Sequence, residues 1–353
     1  MIDFTTVSRE FRSLVERRRE LLTFLGSAFA ALGLFLRNLL SGGLPPSLAQ
    51  IEQHGFAFYA FVLMVLSLIL ALRMAKLHGG MVLNGVLYAR LMQEQEYTPH
   101  KGDPKRAARH NFLGASFLQF ILVDLIASFS AAILGLALAI PLVLSIGLGV
   151  LVGWIWLMLY LRFHHQAASF ALKKASTDSC KPFSRNEWEE HVAESMQQAN
   201  QGMISEIAFA GLMVFSVFES LSGLGRMEMA REPDFSKEMI LKYGPWVYSI
   251  LMVVTCFLEL LIYLRLRLAA GSFWMQLDPT DRPFRPLKLT DSFLGYVLLA
   301  FLFAISLHIL LVLAIPGLER RPAILLGIDG ASFFLALLAE QLTILFAGRR
   351  IKR

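Results

Sequence analysis

Eight stretches of this chain are each apolar for close to twenty residues, and few folds can accommodate that. A helix needs about 20 apolar residues to cross a ~30 Å hydrocarbon layer, and only helices and closed barrels satisfy their backbone hydrogen bonds there. The stretches are Leu21–Leu40, Phe56–Leu72, Phe112–Leu134, Leu138–Leu161, Ile204–Ser222, Pro245–Leu264, Phe293–Ile315 and Ala323–Ala347. The third and fourth form one apolar run too long for a single tilted helix, and Pro141 with its small neighbours marks the expected turn. Composition agrees: 56% of residues are hydrophobic and 17% charged, against about 45–50% and about 25% in soluble domains. A soluble chain of 353 residues would have to bury all of these runs in one core. The expected fold class is therefore all-α: a polytopic membrane protein with eight transmembrane helices, arranged as four hairpins in two similar halves.

Orientation follows from the distribution of Lys and Arg, which concentrate on the cytoplasmic side. With the N-terminus inside, 26 fall in inner segments and six in outer ones, with Arg37 left over. Both termini are then cytoplasmic, and the net charge of +6 needs no nucleic-acid partner. The run Leu21–Leu36 is followed by Arg37-Asn38 without a small-residue cleavage pattern, so it reads as a retained span and not a signal peptide. The absence of any Asn-x-Ser/Thr sequon agrees with a plasma membrane of the bacterial inner-membrane kind.

The expected organisation is a cytoplasmic interfacial helix at 1–20 and a first half at 21–161 with a cytoplasmic loop at 73–111. A cytoplasmic amphipathic linker follows at 162–203, then a second half at 204–348 with a loop at 265–292, and a basic tail at 349–353. One orientation test is direct. In a background lacking Cys180, Thr98→Cys should be shielded from a membrane-impermeant thiol reagent in intact cells, whereas Ser47→Cys should react. The opposite pattern would invert the topology.

The hairpins are visible as repetition, and their lengths pair them into two halves. "YLRFHHQAASF" at Tyr160 and "YLRLRLAAGSF" at Tyr263 each close a span, with the Arg where the helix leaves the bilayer. "FLG" opens spans at Phe24, Phe112 and Phe293, and a looser "FAG" does so at Phe209. Parallel repeats of this kind occur in transport folds. Outside the spans, Phe4, Val7, Phe11 and Leu14 share one helix face opposite Arg9, Arg12 and Arg17, which suits a helix lying on anionic headgroups. Ser184 and Glu187 form a capping-box pattern opening an amphipathic helix to about Asn200. The three prolines of Asp278–Pro286 suggest a tether.

No phosphate loop, dinucleotide fingerprint or His-Glu-x-x-His helix is present. Neither a cofactor nor a metal is expected, and two cysteines, Cys180 and Cys256, cannot build a zinc site or a disulfide framework. His191 and Glu194 read as a solvated charged face, His164-His165 as interfacial. The informative residues are ionisable groups within spans, which are costly there and usually face the bundle interior. Asp124 and Glu340 fall near mid-depth, Glu259 nearer the inner face and Glu206 at its edge; Asp329, His308 and Glu219 are further out. Asp124 continues into a small-residue face, Ser128, Ala131, Ala132 and Gly135; with Gly149 and Gly153 in the fourth span, this permits close helix packing. Arg37 is expected to snorkel to the surface.

The leading expectation is movement of a solute or ion across the bilayer, with Asp124, Glu340, Glu259, Asp329, His308 and Glu219 as cation or proton sites and Asp124 and Glu340 sharing a hydrated cavity. One alternative is a non-catalytic membrane subunit or effector that docks a soluble partner on basic loops or permeabilises the membrane. The weakest is a lipid-modifying enzyme using His308 with Asp329 or Asp124, which would need a lateral opening beside them; no nucleophile–base spacing points to an enzyme. The expected partners are anionic lipid, a soluble cytoplasmic protein or a second copy of the chain.

Overall fold

The computed structural model describes residues 1–40, 55–93, 103–105, 107, 115–138, 140–227, 235–276 and 289–351. Within them the chain forms eight helices: α1 Phe4–Leu40, α2 Gly55–Gln93, α3 Ala115–Ala137, α4 Leu142–Thr177, α5 Arg185–Met227, α6 Phe235–Gln276, α7 Leu289–Ala314 and α8 Pro322–Ile351. Seven of them, α2 to α8, are long and apolar enough to cross a membrane. The expected first span, Leu21–Leu40, lies wholly in helix α1, where the side chains of Leu36, Leu39 and Leu40 are outside the described residues. The expected loop Ser41–Gly55, the part of 73–111 beyond Gln93 and the tether at Asp278–Pro286 lie mostly or wholly outside them as well.

Pro141 takes the N-cap position of α4, four residues after α3 ends at Ala137, because a proline cannot supply the helical N–H that would join the two. Pro322 starts α8, where its missing N–H costs nothing. Gly317 adopts φ +82 in the turn between α7 and α8, a conformation that disfavours any side chain.

Helices α1 and α5 run parallel along most of their length. Arg12–Glu194, Arg19–Gln201 and Arg37–Glu219 each join residues 182 apart, and Ser8–His191 joins residues 183 apart. Along the chain, lengths of 37, 39, 23 and 36 residues are followed by 43, 42, 26 and 30. The apolar windows of α3 and α6 are each 61% buried, those of α4 and α8 only 11% and 6%, so α3 and α6 lie inside and α4 and α8 face lipid. The pairs α3–α4 and α5–α6 pack side by side, and α3 also reaches α6.

Several helices outlast the bilayer. At 1.5 Å per residue, α1 is about 55 Å long, and its first turns meet the ends of α2 and α4 and the start of α5 in a separate core. Phe4, Val7, Leu91, Ala175, Trp188 and Val192 are buried there, and Phe4 stacks on Phe183 with centroids 4.1 Å apart. Residues 1–20 are therefore not a separate interfacial helix: α1 is continuous, and protein covers the Phe4 and Val7 end of the face expected to lie on headgroups. Likewise the expected amphipathic linker 162–203 is not separate from the spans: α4 runs on to Thr177 and the next helix starts at Arg185. Ser184 and Glu187 do form the reciprocal cap, Ser184 N–H donating to Glu187 at 2.7 Å and Glu187 N–H to Ser184 Oγ at 3.2 Å. The helix they open continues past Asn200 to Met227, since nothing between Asn200 and Ile204 breaks it. Arg73–Gln93 is also helix rather than loop.

His191 sits in this core and not on a solvated face. Its Nδ1 lies 2.7 Å from Ser8 Oγ and its Nε2 3.3 Å from Ser195 Oγ, among the rings of Phe4, Tyr88 and Trp188. Glu194 is bound to Arg12. Burial, then the nearby Arg12 charge, lowers the His191 pKa to about 4. The unfolded chain, titrating near 6.5, binds the proton first, so the stability from neutral His191 is complete above that pH. It is lost as pH falls through about 4, on the order of 3 kcal/mol at most. Trp188 fluorescence should report undocking of the α1 start between pH 6.5 and 4. His191→Gln should flatten that transition; an unchanged transition would assign it to other groups.

Candidate functional site

Each helix at the centre of the bundle buries one stripe, and at one level that stripe turns polar. On α1 the buried positions are Arg18, Leu22, Leu25 and Phe29, spaced as one helix face. On α5 they are Glu206, Phe209, Met213 and Val217; on α6, Met252, Cys256, Glu259 and Tyr263. On α3, Gln119 stands in line with Leu122 and Ile126. The phase of each apolar stripe therefore carries Arg18, Gln119, Glu206 and Glu259 inward to one place where α1, α3, α5 and α6 meet. Glu206, Glu259 and Gln119 are 0% exposed and Arg18 is 7% exposed.

Within the cluster, Gln119 Nε2 donates to Glu206 Oε1. Arg18 acts electrostatically on both Glu206 and Glu259, and the two carboxyl groups act on each other. Gly202 lies against the guanidinium: a Cβ there would make an ordinary contact, 3.5 Å from Arg18 Nη2. Two acids thus face one guanidinium. Among the described residues both Glu259 oxygens, Glu206 Oε2 and Gln119 Oε1 have no hydrogen-bond partner. Carboxylates only accept hydrogen bonds, so the unfilled positions fit a proton, a cation or an ordered water.

The other expected site residues disperse into separate helix contacts. Glu219 is paired with Arg37 at 2.7 Å, so Arg37 bridges α1 and α5 instead of snorkelling. Glu340 on α8 is paired with Arg267 on α6, beside Tyr263 and Tyr296, whose electrostatic influence reaches Arg267. Tyr296 donates to the Ala336 carbonyl at 2.9 Å. Asp124 faces α4, 3.7 Å from where a Gly153 Cβ would stand, and its Oδ1 has no partner among the described residues. Asp124 and Glu340 therefore belong to different contacts, and among the described residues no cavity joins them. Gly149 and Gly153 do bring α4 against α3: their added Cβ atoms would lie 2.6 Å from the Ser128 carbonyl oxygen and 2.5 Å from Ser128 Oγ.

His308 Nδ1 and Asp329 Oδ2 are 2.7 Å apart, joining α7 to α8. Beside them a cavity of about 590 Å³ is lined by Phe301, Ala304, Ile305, Leu326 and Phe333. Leu326 and Phe301 are 70% and 55% exposed, so the cavity opens at the outer surface of the helix bundle. His164 lies 3.2 Å from His78 rather than simply at the interface. No group of three or more metal-ligating side chains occurs among the described residues.

Sequence reasoning misses Arg18, Gln119 and Arg267. Arg18 falls within the expected segment 1–20; the signal that turns it into the bundle is its phase with Leu22, Leu25 and Phe29. The fold defines a polytopic α-helical membrane protein. No family model matches the chain, and neither a curated protein nor a solved structure is significantly similar to it.

Proposed function

We propose that this protein moves a cation, a proton or a solute coupled to one across a bacterial inner membrane, with Arg18, Glu206 and Glu259 as the ion site. The observation that carries this is the charge imbalance: two fully buried carboxyl groups lie in one cluster with a single guanidinium, and among the described residues neither Glu259 oxygen has a hydrogen-bond partner. An Arg–Glu pair would lock helices together by itself; a second buried acid is costly and is expected where an ion or proton binds. Its setting agrees with a transport fold. In this reading the chain has eight spans in two similar halves with both termini cytoplasmic, and α1 and α5 are equivalent helices. Their contact at a constant separation of 182 then brings equivalent residues together, as a two-fold axis along the membrane normal would.

The test is proteoliposomes holding an entrapped pH dye, with imposed proton, sodium or potassium gradients. The wild type should dissipate at least one gradient, and Glu259→Gln should slow it at least tenfold while protein yield is kept. Infrared spectroscopy should show a titrating carboxylic-acid band that Glu259→Gln removes. Absence of both flux and band would leave the membrane-subunit function, with the cytoplasmic helical core as the docking surface for a soluble partner. One observation favours a second reading: the lateral cavity beside His308 and Asp329 is the opening that lipid handling or lipid modification requires.

A further inference from the structure

A second cavity, of about 400 Å³, lies between α1 and α2, lined by Leu14, Arg17 and Leu21 on one side and Arg73, Lys76 and Leu77 on the other. The spacing explains the lining. Leu14, Arg17 and Leu21 share one face of α1, and Arg73, Lys76 and Leu77 one face of α2. The helices approach closely just below, where a Gly80 Cβ would lie 3.0 Å from Leu14. Arg17 precedes the apolar run that starts at Leu21, and Arg73 follows the one that ends at Leu72. The cavity is therefore level with the lipid headgroups on the side where the N-terminus lies.

All three cations are exposed, and among the described residues none has an ion-pair or hydrogen-bond partner. Helix α2 carries no acidic residue, and Glu16 and Glu20 of α1 make no ion pair with Arg17. Three unneutralised cations around a leucine-lined cavity at headgroup level match an anionic phospholipid: the phosphate meets the cations and the first acyl carbons meet the leucines. We propose that this crevice is a specific site for an anionic glycerophospholipid of that leaflet, which clamps α1 to α2. It stands independently of the transport proposal.

The probe is the full chain in nanodiscs of phosphatidylcholine alone or with phosphatidylglycerol, read by thermal stability and by lipid retained in native mass spectrometry. Phosphatidylglycerol should be retained and should raise Tm. Each of Arg17→Gln, Arg73→Gln and Lys76→Gln should weaken retention roughly fivefold, and the triple variant roughly a hundredfold. In phosphatidylcholine the triple variant should keep the wild-type Tm; if it fails to fold, the single variants carry the test. Removing Lys173, Lys174 and Arg185 instead, an equal charge loss elsewhere, should leave retention unchanged. Equal loss from both sets, or full retention in the first, would overturn the site. Protection by inorganic phosphate as strong as that by lipid would overturn the lipid as its ligand.

Discussion

Arg18→Met should be among the most damaging single substitutions in this protein, lowering Tm sharply or preventing membrane accumulation. Removing one partner of a buried charge set leaves the others uncompensated, which costs about 3–5 kcal/mol. Here the residual group is two carboxyls, Glu206 and Glu259, both 0% exposed. The double variant Arg18→Met with Glu206→Gln should recover much of the loss, because Gln119 still reaches position 206 and one acid fewer is buried. Denaturation of the four proteins of that cycle in a fixed detergent measures the coupling. Additive losses would mean that Arg18 and Glu206 do not interact, and the proposed ion site would fall with them. Arg17→Met is the control: Arg17, next to Arg18 in sequence, is exposed, and in a detergent without anionic lipid its loss should change Tm little.

Gly33→Ala and Gly149→Ala should be the most damaging glycine substitutions, each by about 3 kcal/mol or more, since overpacking against backbone leaves no side chain to yield. A Cβ on Gly33 would stand 2.6 Å from the Ser216 carbonyl oxygen and 2.8 Å from its Cα, forcing α1 from α5. One on Gly149 would stand 2.6 Å from the Ser128 carbonyl oxygen, forcing α4 from α3. Two built-in controls exist. Gly147, two residues away on α4's open face, and Gly211 on α5 have nothing within 4 Å, so alanine there should be neutral or stabilise the helix by up to about 1 kcal/mol. Equal behaviour of Gly147→Ala and Gly149→Ala would refute the α3–α4 contact. Gly33→Ala should also weaken Arg37–Glu219, one turn further along the same pair, which a Glu219→Gln background would reveal as non-additivity.

The location of Gly149 against α3 could be read from its spacing to Gly153 and from the small-residue face of Asp124, because close packing needs small side chains on both helices. Gly33 could not, because neither it nor Gly26 in the same apolar run has a partner until α5, some 180 residues away, is placed beside them. The same distinction runs through the ionisable residues. Their cost in an apolar setting is a local property, so Glu259, Glu340, Asp329 and Glu219 stand out in the sequence. Which cation each one meets is a property of helix neighbours, and α8 meeting α6 at Arg267, or α1 meeting α5 at Arg37, has no local signature.

Length and hydropathy by themselves determined that the chain is helical and built to cross a bilayer, because backbone polar groups in hydrocarbon leave no other solution for runs of this length. The stop at Pro141, the cap at Ser184 and the close α3–α4 packing were equally local, being set by a missing N–H, a reciprocal pair three residues apart and small side chains on facing helices. The tertiary structure alone decided where helices outlast the membrane: α1, α2, α4 and α5 continue into a second core because Phe4, Leu91, Ala175 and Trp188 meet there, though none of their segments is apolar enough to announce it. It also decided that Arg18 is buried in one cluster with two acids, and that Asp124 faces α4 while Glu340 meets Arg267. Helix period fixes which way a side chain points, but only packing fixes what it points at.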